Sequence, residues 1–442
     1  MRTLKQGIRL PDFKYRSLSS THIHLPQASR FITLLLNQHA GVPVKPCVRE
    51  GDQVFIGTKV AESEDWASAP IHSSVSGRIS EVTQDSVVIE SDEADRLDSS
   101  IQVRTEIPSS PDQLIEIIRQ AGIVDLGGSA IPTHVRLAEA RRKNIEILVL
   151  NGCESEPFLT ADHVLMLNHP VEILRGAELL RVTSGAKRAV IVVEQNKLEA
   201  VEILNSKNYN LKIETISTLT VPSRYPQGSE RALFEAVTNR KLGWSRLPEE
   251  AGVLIENVAT AFAVYEAVYL KKPLYERVVT VAGDCVVEPK NLWARIGTRA
   301  VDLIRSSKGL MREPSRVIFG GPMTGEAILH LEVPVTKKVQ GILALPPDLV
   351  TVFEEEPCIR CGLCVEVCPE SLVPETLIRA VQTENQELAE EYDIDSCTEC
   401  GSCAYVCPSK IPMVAIIRNR TKTSFLKESI RPEPAHVFSS NG

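Results

Sequence analysis

Eight of the eleven cysteines in this chain fall into two runs of identical spacing: Cys358, Cys361, Cys364 and Cys368 before Pro369, then Cys397, Cys400, Cys403 and Cys407 before Pro408. Each run reads C-x2-C-x2-C-x3-C-P, the spacing with which thiolates hold iron–sulfur cubanes, so the expected chemistry is one-electron transfer at two [4Fe-4S] clusters. Zinc does not fit, because a tetrahedral site uses two C-x2-C pairs and three cysteines at two-residue gaps would leave surplus thiolates. Disulfides are not expected either: the opening MRTLKQGIRL lacks the apolar core of a secretory signal, and thiols in a reducing compartment stay free. The remaining Cys47, Cys153 and Cys285 read as reduced packing residues.

A second group of residues suits a nucleotide. The stretch GIVDLGGSAIPTHVRL, Gly122 to Leu137, places Gly127 and Gly128 between two expected helices, where small residues let backbone N–H groups approach phosphate oxygens and the next helix adds its dipole. A Gly-Gly pair by itself reads just as well as a tight turn. Asn151 to Pro157, NGCESEP, follow a buried strand, and open α/β sheets bind ligands at such carboxyl ends. Tyr225, Gly228 and Glu230 in YPQGSERAL, with Asn257 and Thr260 in ENVAT, add amides, hydroxyls and backbone donors suited to flavin edges and a phosphate. For Glu154 and Glu156, capping of a helix N-terminus is an equal reading.

These groups need a scaffold, and 442 residues allow three or four domains. Short strands punctuated by turns from about 40 to 90 resemble the barrel-sandwich hybrid of biotinyl and lipoyl domains. Val75, Ser76 and Gly77 stand where an attachment lysine would be, so the module reads as unmodified, and His72 reads as a packed or surface residue. From about 110 to 270, apolar strands such as 145–150 and 188–193 alternate with helices such as 111–122 and 170–182, which predicts a Rossmann-like α/β layer. Residues 276–304 return to strands plus a helix and resemble a β-grasp (SLBB-like) domain. Pro374 to Tyr392 is expected to be helical, packing Leu377, Ile378, Val381 and Leu388 beside the clusters.

The expected organisation is therefore multidomain α/β and α+β: a barrel-sandwich hybrid over 30–100, an FMN/NADH domain over 108–272, a β-grasp domain over 276–346, a bacterial 2[4Fe-4S] ferredoxin-like domain over 350–418 and a flexible tail over 419–442. A net charge of −8 supplies no global basic field for nucleic acid. No run approaches the roughly 18 to 20 apolar residues that span a bilayer, so no transmembrane segment is expected.

In this order the pieces resemble the RnfC family, a component of the Rnf-type ion-translocating electron transport complex, from about residue 30 to residue 415. The central region is also similar to the NADH-binding flavoprotein subunit of respiratory complex I. The resemblance implies a peripheral oxidoreductase subunit at the cytoplasmic face of the inner or plasma membrane. It would bind FMN, exchange electrons with NAD(H), and work with other Rnf-type membrane subunits and an iron–sulfur partner subunit.

By the bacterial ferredoxin pattern, Cys358, Cys361, Cys364 and Cys407 hold one cluster, and Cys368, Cys397, Cys400 and Cys403 the other. Gly127, Gly128, Thr133 and Arg136 stand at matching glycine-loop positions. Asn151, Glu154 and Glu156 match the strand-end cluster, the two glutamates orienting nicotinamide and flavin. Tyr225, Gly228 and Glu230 match a segment near the flavin, and Asn257 and Thr260 the segment that holds FMN.

The chain also departs from the pattern. Asp125 and Ala130 stand where glycines are usual, Ile131 where a phenylalanine is, Arg136 where a lysine is, and Cys153 where an aspartate is. Losing the aromatic removes a stacking surface of ~0.5 to 1.5 kcal/mol, and Asp125 sets a negative charge near a phosphate site. Two other readings stay open: a soluble flavin/iron–sulfur reductase of cobalamin-reductase type, and an iron–sulfur electron-transfer adaptor without nucleotide binding.

Overall fold

The computed structural model describes residues 7–27, 29–243, 246–350 and 353–418, and the chain separates into two units at the 352/353 junction. In the first unit β1 (Ile23–His24) precedes seven short strands: β2 (Phe31–Leu35), β3 (Lys45–Pro46), β4 (Gln53–Val54), β5 (Lys59–Glu62), β6 (Ile71–His72), β7 (Gly77–Val82) and β8 (Ser86–Ser91). These seven form two antiparallel sheets, β2-β8-β7-β4 and β3-β5-β6. Strand alternation sends Ile32, Leu34, Ile79, Val87 and Ile89 into the core. His72 is buried, and desolvation drops its pKa to about 3, so it packs as a neutral ring.

The central layer is α/β. Helices α1 (Pro111–Gln120) and α2 (Thr133–Arg142) flank the glycine loop. They are followed by β9 (Ile147–Gly152), α3 (Ala161–Asn168), α4 (Pro170–Ser184), β10 (Arg188–Glu194), α5 (Leu198–Leu211), β11 (Ile216–Val221), α6 (Glu230–Thr238), β12 (Val253–Asn257) and α7 (Val258–Leu270). The strands are all parallel, in the order β11-β10-β9-β12. Leu148 and Leu150 pack into a core shared with α1, α2, α4 and α7, while Val149, Val192 and Ile255 meet Leu233 and Phe234 of α6. Both faces are covered, which is why these strands read as continuous apolar runs. Helices α4 and α7 cross so closely that a Cβ on Gly176 would stand 1.8 Å from the Ala261 carbonyl oxygen, so no larger residue fits there. Strand order reverses between β9 and β12, and the crevice outside their carboxyl ends is where such sheets hold ligands.

The first unit closes with β13 (Glu276–Ala282), β14 (Lys290–Arg295), α8 (Ala300–Ser306), β15 (Arg316–Phe319), β16 (Glu326–Ile328) and β17 (Gly341–Leu345). Their six-stranded mixed sheet has the order β1-β14-β13-β17-β15-β16. The segment before the barrel-sandwich strands thus completes a sheet formed more than 250 residues later, through parallel pairing of Ile23 with Asn291. Val279, Val281, Leu292 and Ile342 pack on Leu303 and Ile304 of α8.

The second unit holds α9 (Leu363–Val367), α10 (Pro374–Gln382), α11 (Gln386–Glu391), α12 (Ser402–Val406) and α13 (Met413–Arg418). Its two cysteine runs repeat one backbone path: Arg360 and Glu399 have φ of 55° and 53°, and Gly362 and Gly401 have 81° and 80°. The single helix expected over 374–392 is corrected to two. Glu384 takes a φ of 51°, and the Asn385 side chain caps α11 by accepting from the Leu388 N–H at 3.0 Å, a residue choice that starts a new helix rather than continuing the old. Leu377 and Ile378 are buried and Val381 and Leu388 partly so. Among the described residues no helix is long and apolar enough to cross a membrane. The tail expected over 419–442 lies outside the described residues.

Candidate functional site

Asn151 and Asn257 are register partners at the carboxyl ends of β9 and β12, the two strands at the switch point. Asn257 caps α7, its Oδ1 accepting from the Ala259 N–H at 2.7 Å, and its Nδ2 donates to Asp162 Oδ2 at 2.8 Å. Asn151 donates from Nδ2 to the Gly228 carbonyl at 3.0 Å and accepts at Oδ1 from the Cys153 N–H at 3.1 Å, fastening the turn that contains Tyr225 and Gly228 over the strand end. Thr260 Oγ1 accepts from the Leu126 N–H at 3.0 Å and ties α7 to the glycine loop. Cys153 is fully buried in the apolar core on the α6 side, where desolvation raises its pKa.

The glycine loop is folded around its own anion. Asp125, 7% exposed, accepts from the Gly127 N–H at 3.1 Å, the Ser129 N–H at 3.1 Å and the Ser129 hydroxyl at 2.7 Å. Ala130 sits in the left-handed region with a φ of 54°, and Gly128 at 119°. Thr133 opens α2 with its hydroxyl buried and without a partner among the described residues.

Arg136, the basic residue expected for this loop, is engaged by three carboxylates: Glu249 at 2.8 Å, Glu230 at 3.2 Å and Glu256 at 3.7 Å. Burial alone would lower its pKa, but Glu256, Glu230 and Glu249 more than offset that and leave it above its ordinary value. Glu256 is 1% exposed, neither carboxylate oxygen has a hydrogen-bond partner among the described residues, and desolvation lifts its pKa to about 8.

The two strand-end glutamates are committed to backbone donors. Glu154 accepts from the Asp162 and His163 N–H groups at 2.9 and 3.2 Å, which is the helix-capping geometry, at the start of α3. Glu156 accepts from the Met323 and Thr324 N–H groups at 3.0 and 2.9 Å and from the Thr324 hydroxyl at 2.6 Å, bridging to the β15–β16 turn. A Cβ on Gly321 would stand 2.3 Å from Glu156 Oε2, so glycine is what admits that carboxylate.

Sequence reasoning misses Asp162, because an aspartate in a first helical turn reads only as a dipole complement. It is buried beside Glu154, and desolvation followed by that neighbouring charge raises its pKa. Gln227, missed in the same way, lies in the turn next to Gly228, with a fully buried side chain that has no partner for either polar atom among the described residues. With the Thr133 hydroxyl, these buried polar atoms without a partner lie on the segments at the carboxyl ends of the strands and would suit a ligand with both donors and acceptors, as a flavin nucleotide has.

In the second unit Cys358, Cys361, Cys364 and Cys407 line one cavity together with Val365, Val373 and Met413. Cys368, Cys397, Cys400 and Cys403 line another with Leu372, Leu377 and Ile417. Among the described residues no three such donors close on a single ion. Each set lines one cavity, the grouping that a cubane with one thiolate per iron would use. Backbone N–H groups of Arg360 and Leu372 donate to the Cys358 and Cys368 sulfurs, both at 3.4 Å, the kind of contact that tunes a cluster. Burial pushes the Cys368 and Cys403 thiols up to about 12; iron bound there would supply positive charge that favours their thiolates.

Comparison with known proteins gives three family-model matches: the RnfC Barrel sandwich hybrid domain over residues 2–102, the Nuo51 FMN-binding domain over 118–266 and a 4Fe-4S dicluster domain over 354–411. The C subunit of the Na(+)-translocating ferredoxin:NAD(+) oxidoreductase complex of Acetobacterium woodii is 36% identical over 383 residues, covering 84% of this chain and 86% of that one. The C subunit of the Proton-translocating ferredoxin:NAD(+) oxidoreductase complex of Clostridium ljungdahlii is 34% identical over 405 residues, covering 89% and 88%. The C subunit of an Ion-translocating oxidoreductase complex of Haemophilus influenzae is 35% identical over 429 residues, covering 94% of this chain and 65% of that one. Among solved structures, a chain of NAD+-reducing [NiFe]-hydrogenase in the H2-reduced state shares the fold at a TM-score of 0.50 and 17% identity, over 71% of this chain and 61% of that one. With 36% of the aligned residues identical to the Acetobacterium woodii relative over most of both chains, this chain belongs to the RnfC family.

Proposed function

We propose that this chain is the peripheral electron-transfer subunit of an Rnf-type ion-translocating complex, an oxidoreductase component passing electrons between NAD(H), FMN and two [4Fe-4S] clusters. The observation that carries this reading is the presence, in one chain, of a switch point where Asn151 and Asn257 pair at the strand ends and of two four-cysteine cavities. FMN bound at the crevice would supply the conversion between a two-electron hydride and one-electron transfers to the clusters.

The chain's own residues bind and orient. Gly127, Gly128, Thr133 and Arg136 form the nucleotide side, and Asn151, Tyr225, Gly228, Glu230, Asn257 and Thr260 the flavin side. Glu154 and Glu156 shape the loop that orients nicotinamide and flavin. Cys358, Cys361, Cys364 and Cys407 hold one cluster, and Cys368, Cys397, Cys400 and Cys403 the other. The six-stranded mixed sheet, with α8 packed on it, is read as the β-grasp, SLBB-like domain. The chain's partners are NADH, membrane subunits of the complex and an iron–sulfur subunit, and its location is the cytoplasmic face of the inner or plasma membrane. The names of the relatives and the lack of a spanning helix among the described residues support that placement.

The test is an anaerobic NADH titration of cluster-reconstituted, FMN-supplemented protein, following the flavin and cluster absorption bands. Bleaching of both is expected. Clusters that reduce with dithionite yet ignore NADH would favour the second reading, an electron-transfer adaptor without nucleotide binding, which one observation supports: Asp125 already occupies the loop donors a phosphate would use.

A further inference from the structure

Residues 7–18, ahead of the barrel-sandwich strands, run as a strap past the carboxyl ends of the parallel sheet. Ile8 exchanges two backbone hydrogen bonds with Tyr225, at 2.8 and 2.9 Å, and the Asp12 carbonyl accepts from the Phe158 N–H at 2.8 Å. Phe13 stacks on Phe158 with ring centroids 4.8 Å apart. Lys14, 4% exposed, then threads its ammonium into the strand-end loop and donates to the carbonyl oxygens of Glu154 at 2.8 Å, Glu156 at 3.0 Å and Leu159. Lys197, fully buried just before α5, donates to the Cys153 carbonyl at 2.6 Å.

A planar trans peptide sets its N–H opposite its C=O, and the Cys153–Glu154 and Glu154–Ser155 peptides are trans. Drawing the Cys153 and Glu154 carbonyls onto two ammonium groups therefore turns the Glu154 and Ser155 N–H groups the other way. Those N–H groups donate to no acceptor among the described residues. Glu154 has a φ of 45°, the left-handed conformation with which successive N–H groups converge into an anion-accepting nest. Two buried lysines thus stand behind the loop, Lys197 with the buried Glu194 carboxylate 3.7 Å away, and two free donors stand in front of it, at the switch point.

We propose that Lys14, assisted by Lys197, is a positioning residue that orients the Glu154 and Ser155 N–H groups toward an electron-rich ligand edge that gains negative charge on reduction, as the pyrimidine edge of a flavin does. The inference rests on the proposed function for the identity of that ligand. Fixed dipoles, held by the hydrogen bonds of Lys14 and Lys197 to the loop carbonyls, act most strongly on charge that appears only after reduction, so the loop favours the reduced ligand over the oxidised one. The strap also holds Tyr225, and so couples the amino-terminal segment to two sides of the crevice.

The test compares FMN-reconstituted wild-type protein with K14M and K14R. Titrations give the affinity for oxidised and reduced FMN, anaerobic dye equilibration gives the flavin midpoint potential, and the cluster spectrum reports the fold. K14M is expected to weaken reduced FMN about tenfold more than oxidised FMN, read as a fall of about 30 mV for a two-electron couple, and K14R to restore most of it. K14M protein with intact clusters and an unchanged potential overturns the inference and leaves the proposed function standing. Wild-type protein that takes up no FMN overturns the proposed function and, with it, the flavin as the loop's ligand. If K14M does not fold, K197M carries the same comparison with the same expected sign.

Discussion

Replacing Asp125 by alanine is expected to tighten the binding of phosphate-bearing ligands. In the folded protein its carboxylate accepts three hydrogen bonds from the Gly127–Ser129 loop at 2.7 to 3.1 Å, so a phosphate reaching those donors competes with an anion held inside the protein. The incoming phosphate makes comparable bonds and the displaced carboxylate regains water, so most of the exchange cancels. What does not cancel is on the order of one charge-assisted bond, about 1.5 to 3 kcal/mol. That energy keeps the loop in its self-satisfied form and lowers apparent affinity by the fraction of molecules that are competent. Removing the carboxylate should therefore tighten FMN, NADH or ADP by roughly 10- to 150-fold, while riboflavin, which lacks the phosphate, should change little.

Isothermal titration of wild type, Asp125→Ala and Asp125→Asn with FMN, ADP and riboflavin measures this directly. The asparagine variant keeps the turn without the charge and should gain an intermediate amount. Phosphate-bearing ligands that bind Asp125→Ala within twofold of wild type would refute the competition. An equal gain for riboflavin would show that loop mobility, not the anion, is responsible.

Cys407→Ser should abolish the spectroscopic signal of the cluster held by Cys358, Cys361 and Cys364 while the other persists; loss of only the second cluster would break the cross-ligation assignment. Glu256 has its pKa raised from 4.5 to about 8 by burial, so across that window the folded state keeps a proton the unfolded state has released, and this group's contribution to stability falls as pH rises. Glu256→Gln, which cannot titrate, should flatten that fall; denaturation curves with the same pH dependence in both proteins would contradict this. Glu156→Gln leaves one carbonyl oxygen facing three donors, which should loosen the strand-end loop by about 1 to 3 kcal/mol and slow flavin reduction by NADH with iron content unchanged. Unaltered NADH kinetics would remove Glu156 from the site.

The two cysteine runs, the parallel strands at 147–152 and 188–194 and the glycine loop were legible because each is written locally. A cluster triad spans seven residues, a buried strand is a short apolar run, and a Gly-Gly turn sits between two helices, so spacing along the chain carries the geometry. The expected helix over 374–392 failed at Glu384 for the complementary reason: periodicity reports the apolar face but not an asparagine's choice to start a second helix.

What the sequence by itself determined is the inventory of chemistry: eight cysteines in two sets, a group of amides and hydroxyls, and an α/β frame to hold them. Only the tertiary structure decided how that chemistry is set. It paired Ile23 with Asn291, surrounded Arg136 with Glu230, Glu249 and Glu256, and placed Lys14 against carbonyls some 140 residues away. Each of these depends on burying polar groups: a buried backbone edge, ammonium or carboxylate must find whatever partner the fold brings near, and no local pattern in the chain records which partner that is.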